Sequence, residues 1–93
     1  MKSVIAVATT VTEVLEPGDY KLILLENKDS SETIYLDFTN KQSDLTTSNG
    51  LAVKPGERFT LLNSSNPEIF FKGGVSAIHG GSGTKNLLVQ AVL

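Results

Sequence analysis

Apolar residues in this chain recur at every second position in short runs, and no stretch of ten residues carries the spacing of a helical stripe. The clearest run is Thr33–Thr39. Ile34, Leu36 and Phe38 fall on one face and Tyr35 and Asp37 on the other, as in a half-buried strand. Tyr20–Glu26 is apolar on both faces through Leu22, Ile23, Leu24 and Leu25, which predicts a central or covered strand. The polar cluster Asn27–Ser31 between these two runs reads as the loop of a hairpin. Ser3–Leu15 is rich in β-branched residues (Val4, Ile5, Val7, Thr9, Thr10, Val11, Thr12, Val14), which suit a pleated surface and disfavour a helix. That strand is predicted to stop at Pro17-Gly18, where Pro presets φ and Gly accepts the positive φ of a type II turn.

Asn40–Gly50 is the longest polar connection, and its Asn49-Gly50 favours a tight turn. Leu51–Lys54 reads as a short strand broken by Pro55-Gly56, and Arg58–Leu62 as another with Phe59 and Leu61 on one face. Beyond the turn cluster Asn63–Pro67, Glu68–Lys72 carries Ile69, Phe70 and Phe71. Val75–Ile78 follows Gly73-Gly74, and the glycine turn Gly80-Gly81-Ser82-Gly83 reads as a hairpin into Asn86–Leu93, whose Leu87, Val89, Ala91 and Leu93 share a face. About eight short strands with turn signals every ~8–12 residues predict an all-β fold: a compact antiparallel β-sandwich or jelly-roll-like barrel. An apolar residue at position 93 predicts a last strand tied into a sheet.

A length of 93 residues predicts a single β-sandwich domain over 1–93, with 1–15 as a β-branched N-terminal strand or arm. A chain of this size buries roughly 60–65% of its unfolded surface, so a multimer would gain by sharing apolar area. The 40% hydrophobic and 19% charged content suits a globular chain. The absence of cysteine removes disulfides and thiolate chemistry. A formal net charge of −2 without a basic run removes the attraction that supplies most nucleic-acid affinity. The apolar stretch from Val4 stops at Thr9-Thr10, shorter than the ~7–15 residues of a signal h-region, and no segment approaches the ~18 apolar residues of a membrane span. No nucleic-acid or membrane partner is expected.

Catalytic motifs fail at named residues. His79 is the only histidine, so any His-dependent triad or metal site would have to be built around it; it reads as a strand-end side chain. In Gly80–Lys85 the Lys follows Thr84 and precedes Asn86, the wrong order for a phosphate loop. Ser82 is followed two residues later by Thr84, not by the Gly of an esterase elbow. Asp29, Glu32 and Asp44 lack calcium-loop spacing, and Asp37 lies opposite the core face of its strand. No enzyme activity, cofactor or metal is expected. What remains is contact surface: the β-branched Val4, Ile5 and Val7; Tyr35, the best exposed aromatic; and Phe70-Phe71, which send one ring to each face.

Three segments together resemble small β-sandwich proteins encoded among bacteriophage virion genes: Ile34-Tyr35-Leu36, Thr46-Thr47-Ser48-Asn49-Gly50-Leu51 and Lys54-Pro55-Gly56-Glu57. Val75-Ser76-Ala77-Ile78, Ser82-Gly83-Thr84 and Leu87–Leu93 continue the same order, so the resemblance covers about two-thirds of the chain. It implies a virion structural protein of the capsid decoration (cement) or head–tail accessory type, made in the host cytoplasm and located on the capsid surface or tail. The implied partners are copies of itself, a trimer among the possibilities, and the major capsid protein or another virion protein. No catalytic residue carries over. The alternative is a carbohydrate- or receptor-binding module of a tail or fibre, with a shallow groove near Tyr35, Gln42, Asn49 or Asn63; the absence of Trp counts against it.

Overall fold

The computed structural model describes residues 2–18, 20–38, 44–62 and 74–92. Among these residues eight strands run in chain order: β1 Lys2–Val7, β2 Thr12–Leu15, β3 Leu22–Asn27, β4 Ile34–Asp37, β5 Leu51–Val53, β6 Arg58–Leu62, β7 Val75–His79 and β8 Lys85–Val92. They pair antiparallel from the outside inwards, β1 with β8, β2 with β7, β3 with β6 and β4 with β5. This is one long folded-back ribbon. Rolling it up brings β3 against β8 and β4 against β7, which closes two four-stranded sheets. The orders are β1-β8-β3-β6 (sheet A) and β2-β7-β4-β5 (sheet B), the strand order of a jelly roll. The predicted all-β sandwich is the fold observed.

The pairing rearranges several local expectations. Ser3–Leu15 is two strands, not one. The chain leaves sheet A after Val7 and enters sheet B at Thr12. Thr12 Oγ1 accepts from the Ala8 N–H (3.0 Å) and donates to the Thr10 carbonyl (3.2 Å), which holds the corner. β3 and β4 are not a hairpin, nor are β7 and β8, because each pair straddles the two sheets. Period-2 patterning reports which face of a strand is buried but not which strand lies beside it, so adjacency in sequence was the wrong guide. A positive-φ turn sits at Pro55-Gly56, where Gly56 has φ 80° and the Glu57 N–H closes on the Lys54 carbonyl at 2.9 Å; the turn expected at Pro17-Gly18 runs into residue 19, which lies outside the described residues. The predicted strand Glu68–Lys72 and the positions Phe70 and Phe71 lie outside the described residues, as does Leu93.

The alternation did identify the core. Val7, Ile23, Leu25, Leu87, Val89 and Ala91 from sheet A meet Val14, Ile34, Leu36, Val53, Val75 and Ala77 from sheet B, with Ile5, Phe38, Phe59 and Leu61 packed at the margin. The Phe38 and Phe59 rings bridge the sheets with centroids 5.1 Å apart, a tilted pair. β7 is buried on both faces. Its outward residues Ser76 and Ile78 lie on the side of sheet B that carries the 44–50 connection. Leu45 of that connection is buried apart from the main core, and Gly50 sits so close to Tyr35 that a Cβ there would lie 2.7 Å from the Tyr35 Cβ.

Candidate contact surface

Four connections gather at one end of the sandwich: 8–11, 28–33, 54–57 and 80–84. Asn27, the last residue of β3, is completely buried and ties two of them together. Its Nδ2 donates to the carbonyls of Glu32 (2.8 Å) and Val53 (2.9 Å), and its Oδ1 accepts the Asp29 N–H (2.9 Å). Its own N–H and carbonyl pair with Glu57 and Gly56, both at 3.0 Å. Asp29 continues the network by accepting from the N–H groups of Ser31 (3.0 Å) and Glu32 (2.7 Å), which holds its carboxyl below the usual carboxylate range. The sequence marked Asn27 only as the start of a polar turn; its burial, which follows from β3 running on to this residue, was the missing signal.

His79 plays the matching part for the 80–84 connection. Its side chain is buried, Nδ1 accepts the Gly81 N–H (3.1 Å), and Nε2 therefore carries the proton and donates to the Gly83 carbonyl at 2.8 Å. Both ring nitrogens are spent on the turn, which is the strand-end role expected from the sequence. Among the described residues no buried side-chain nitrogen or oxygen lacks a hydrogen-bond partner, and no group of three or more His, Asp or Glu side chains is placed to hold a metal ion. This end of the molecule is built as a joint, with its polar groups turned on one another.

The outer face of sheet A differs. Because Ile5, Leu87, Val89, Ile23, Leu25 and Phe59 point inwards, their neighbours point out, in rows that cross the sheet. One row is Val4, Leu88, Glu26, Arg58; the next is Lys2, Gln90, Leu24, Thr60; Val92 and Leu22 follow. Val4 is 58% and Val92 49% exposed, and Leu22, Leu24 and Leu88 are half-buried with no inward role. At the margin Glu26 takes both the Lys28 ammonium (2.5 Å) and the Arg58 guanidinium (2.6 Å), and this pair of cations keeps its carboxyl below the usual range. The face is therefore an apolar band with a fixed charge cluster along one side.

The candidates drawn from the sequence separate accordingly. Val4 stands on this band; Ile5, one residue on, faces inwards and packs at the margin of the core. Val7 has no exposed surface and belongs to the core, because the strand's inward parity places it against the other sheet, so it is corrected as a contact residue. Tyr35 is half-buried on the outer side of sheet B, against Gly50. Of the amides named for a sugar-binding groove, Asn49 alone is among the described residues. Asn49 uses Oδ1 on the Thr46 N–H (2.7 Å) and Nδ2 on the Asp44 carbonyl (2.8 Å), and Gln42 and Asn63 lie outside the described residues. No protein-family model, curated protein or solved structure matches the chain.

Proposed function

We propose that the chain is a non-enzymatic structural protein of a bacteriophage particle, a capsid decoration protein that self-associates and binds the head surface. The observation that carries this reading is the apolar band Val4, Leu88, Leu24, Leu22 and Val92 on the outer face of sheet A. A row of aliphatic side chains on a stiff sheet offers area and shape but no nucleophile, acid or base, which suits adhesion to another protein. The resemblance of the sequence to small virion β-sandwiches supports this partner class.

The test is co-sedimentation with expanded, empty heads assembled from the major capsid protein of the same genome. Saturable binding at a fixed ratio of copies to capsid protein is expected, reduced at least tenfold by Val92→Asp. A protein that stays in the supernatant at every concentration overturns the reading.

A further inference from the structure

A jelly roll has four sheet edges, and in this chain three of them are blunted. β2 edges sheet B and is interrupted by a register shift between Glu13 and Leu15. β5 edges the same sheet and has only three residues. β6 edges sheet A and opens on the exposed Arg58, held by Glu26, directly after the type II turn. Bulges, brevity and charge are the devices by which soluble proteins keep an edge from pairing.

β1, the other edge of sheet A, is the longest of the four and has no bulge; its one charge is Lys2. It runs six residues in unbroken register with β8, from Lys2 opposite Gln90 to Val7 opposite Lys85. It holds no proline and no inward charge. Among the described residues no strand lies on its outer side. Val4, the most exposed large hydrophobic among the described residues, stands at its middle.

We infer that β1 is a pairing edge whose occupant is the β1 strand of a second copy, set antiparallel about a two-fold axis through Val4. This rests on the self-association in the proposed function and not on head binding. Side-chain parity puts the axis at a residue and not between two, and the exposed Val4 selects which. Two sheets joined edge to edge must keep outward residues on the outward side, so residue i pairs with a residue of the same parity. A two-fold at Val4 satisfies this and places Val4 on Val4, Ser3 opposite Ile5, and Lys2 opposite Ala6. No like charges meet, because the one cation of each strand faces an alanine. The row Val4–Leu88 then becomes a continuous aliphatic strip Leu88–Val4–Val4–Leu88 across the joint, and the two sheets A become one eight-stranded sheet. Each copy has one such edge, so the assembly closes at two.

Light scattering on the wild-type chain should give twice its 9.9 kDa mass. The chain has no cysteine, so Val4→Cys reports the axis directly: paired residues on antiparallel strands lie ~4.5–5.5 Å apart at Cα, within disulfide reach, and oxidation should yield a covalent dimer. Arg58→Cys, at the opposite edge, should yield none. Val4→Lys should weaken the dimer about tenfold or more by setting two cations face to face, Val4→Glu likewise, and a mixture of the two should dimerise again. Val92→Lys, on the same face but one strand in, should leave the dimer intact, whereas it would break a face-to-face dimer. A wild-type monomer or trimer, or an oligomer indifferent to the Val4 variants, overturns the inference while leaving head binding to stand or fall by itself. Unchanged mass with loss of head binding in Val4→Lys also overturns it, and assigns the edge to a strand of the shell.

Discussion

Replacing Asn27 with Ala removes the one side chain that fastens the 28–33 connection to the end of β5. Three hydrogen bonds go at once, to Glu32, Val53 and Asp29, while the two backbone bonds of residue 27 remain. The bond to the Val53 carbonyl is buried, so its loss strands an acceptor away from water at a cost of about 1–3 kcal/mol. The other two are partly buried, and water can replace the lost partner for about 1 kcal/mol or less each. The sum is about 1–5 kcal/mol against a stability on the order of 5–14 kcal/mol for a chain of this length. Urea unfolding followed by far-ultraviolet circular dichroism should show a stability loss of that size at unchanged slope, and Tm should fall by roughly 5–25 °C. Asn27→Asp is sharper still. It keeps the acceptor for Asp29 but turns a carboxylate oxygen towards two carbonyls in a fully buried site, so this variant should gain stability as pH falls and the acid protonates, opposite to the parent. A loss under about 1 kcal/mol in Asn27→Ala would refute the reasoning, because it would mean that the bonds contribute no more than the water that replaces them.

Gly50→Ala should lose about 1–3 kcal/mol in the same assay, since the new methyl would meet the Tyr35 Cβ at 2.7 Å and Leu45 at 2.8 Å, whereas Gly56→Asn should lose under about 1 kcal/mol because that site is open and asparagine tolerates positive φ. His79→Leu should leave the sandwich folded but free the 80–84 turn, read as faster amide exchange at Gly81 with little change at Val89. On acidification, the carboxyls of Glu26 and Asp29 lie below their unfolded values, so their stabilisation is complete above pH ~4–5 and fades as pH falls through the lower folded values. Glu26→Gln and Asp29→Asn should each flatten that acid limb, and added salt should flatten the Glu26 part more, because its partners are side-chain cations and those of Asp29 are chiefly backbone N–H groups.

Strand positions and buried faces were legible in the sequence because alternation is a local property. Ile34, Leu36 and Phe38 turned inwards as their spacing required, and the doubly apolar Leu22–Leu25 run became a central strand. Partnership was not legible. Nothing in Ser3–Leu15 announces that the chain changes sheets at residues 8–11, because a corner made by one threonine hydroxyl leaves the apolar pattern undisturbed. The contact surface was half legible for the same reason. Val4, Ile5 and Val7 look alike in sequence, and only the parity of β1 against β8 sends Val4 outwards and Val7 to the core. Asn27 was invisible because its importance lies in carbonyls from two distant segments converging on it.

The outside-in pairing of the ribbon also sets a timetable. Its innermost ladder, β4 with β5, joins residues close in sequence, whereas Val7 must wait for Lys85. Closing the short loop costs less chain entropy than closing the long one, so the transition state should hold the middle of the chain and leave its ends free. Val53→Ala should therefore slow folding, while Ile5→Val should chiefly hasten unfolding, as a pair of chevron plots would read; the reverse assignment would refute this order. During synthesis β1 leaves the ribosome well before its partner β8, and until β8 emerges β1 waits without the strand it pairs with. A cell making many copies at once would have nascent β1 strands meeting one another before each meets its own β8.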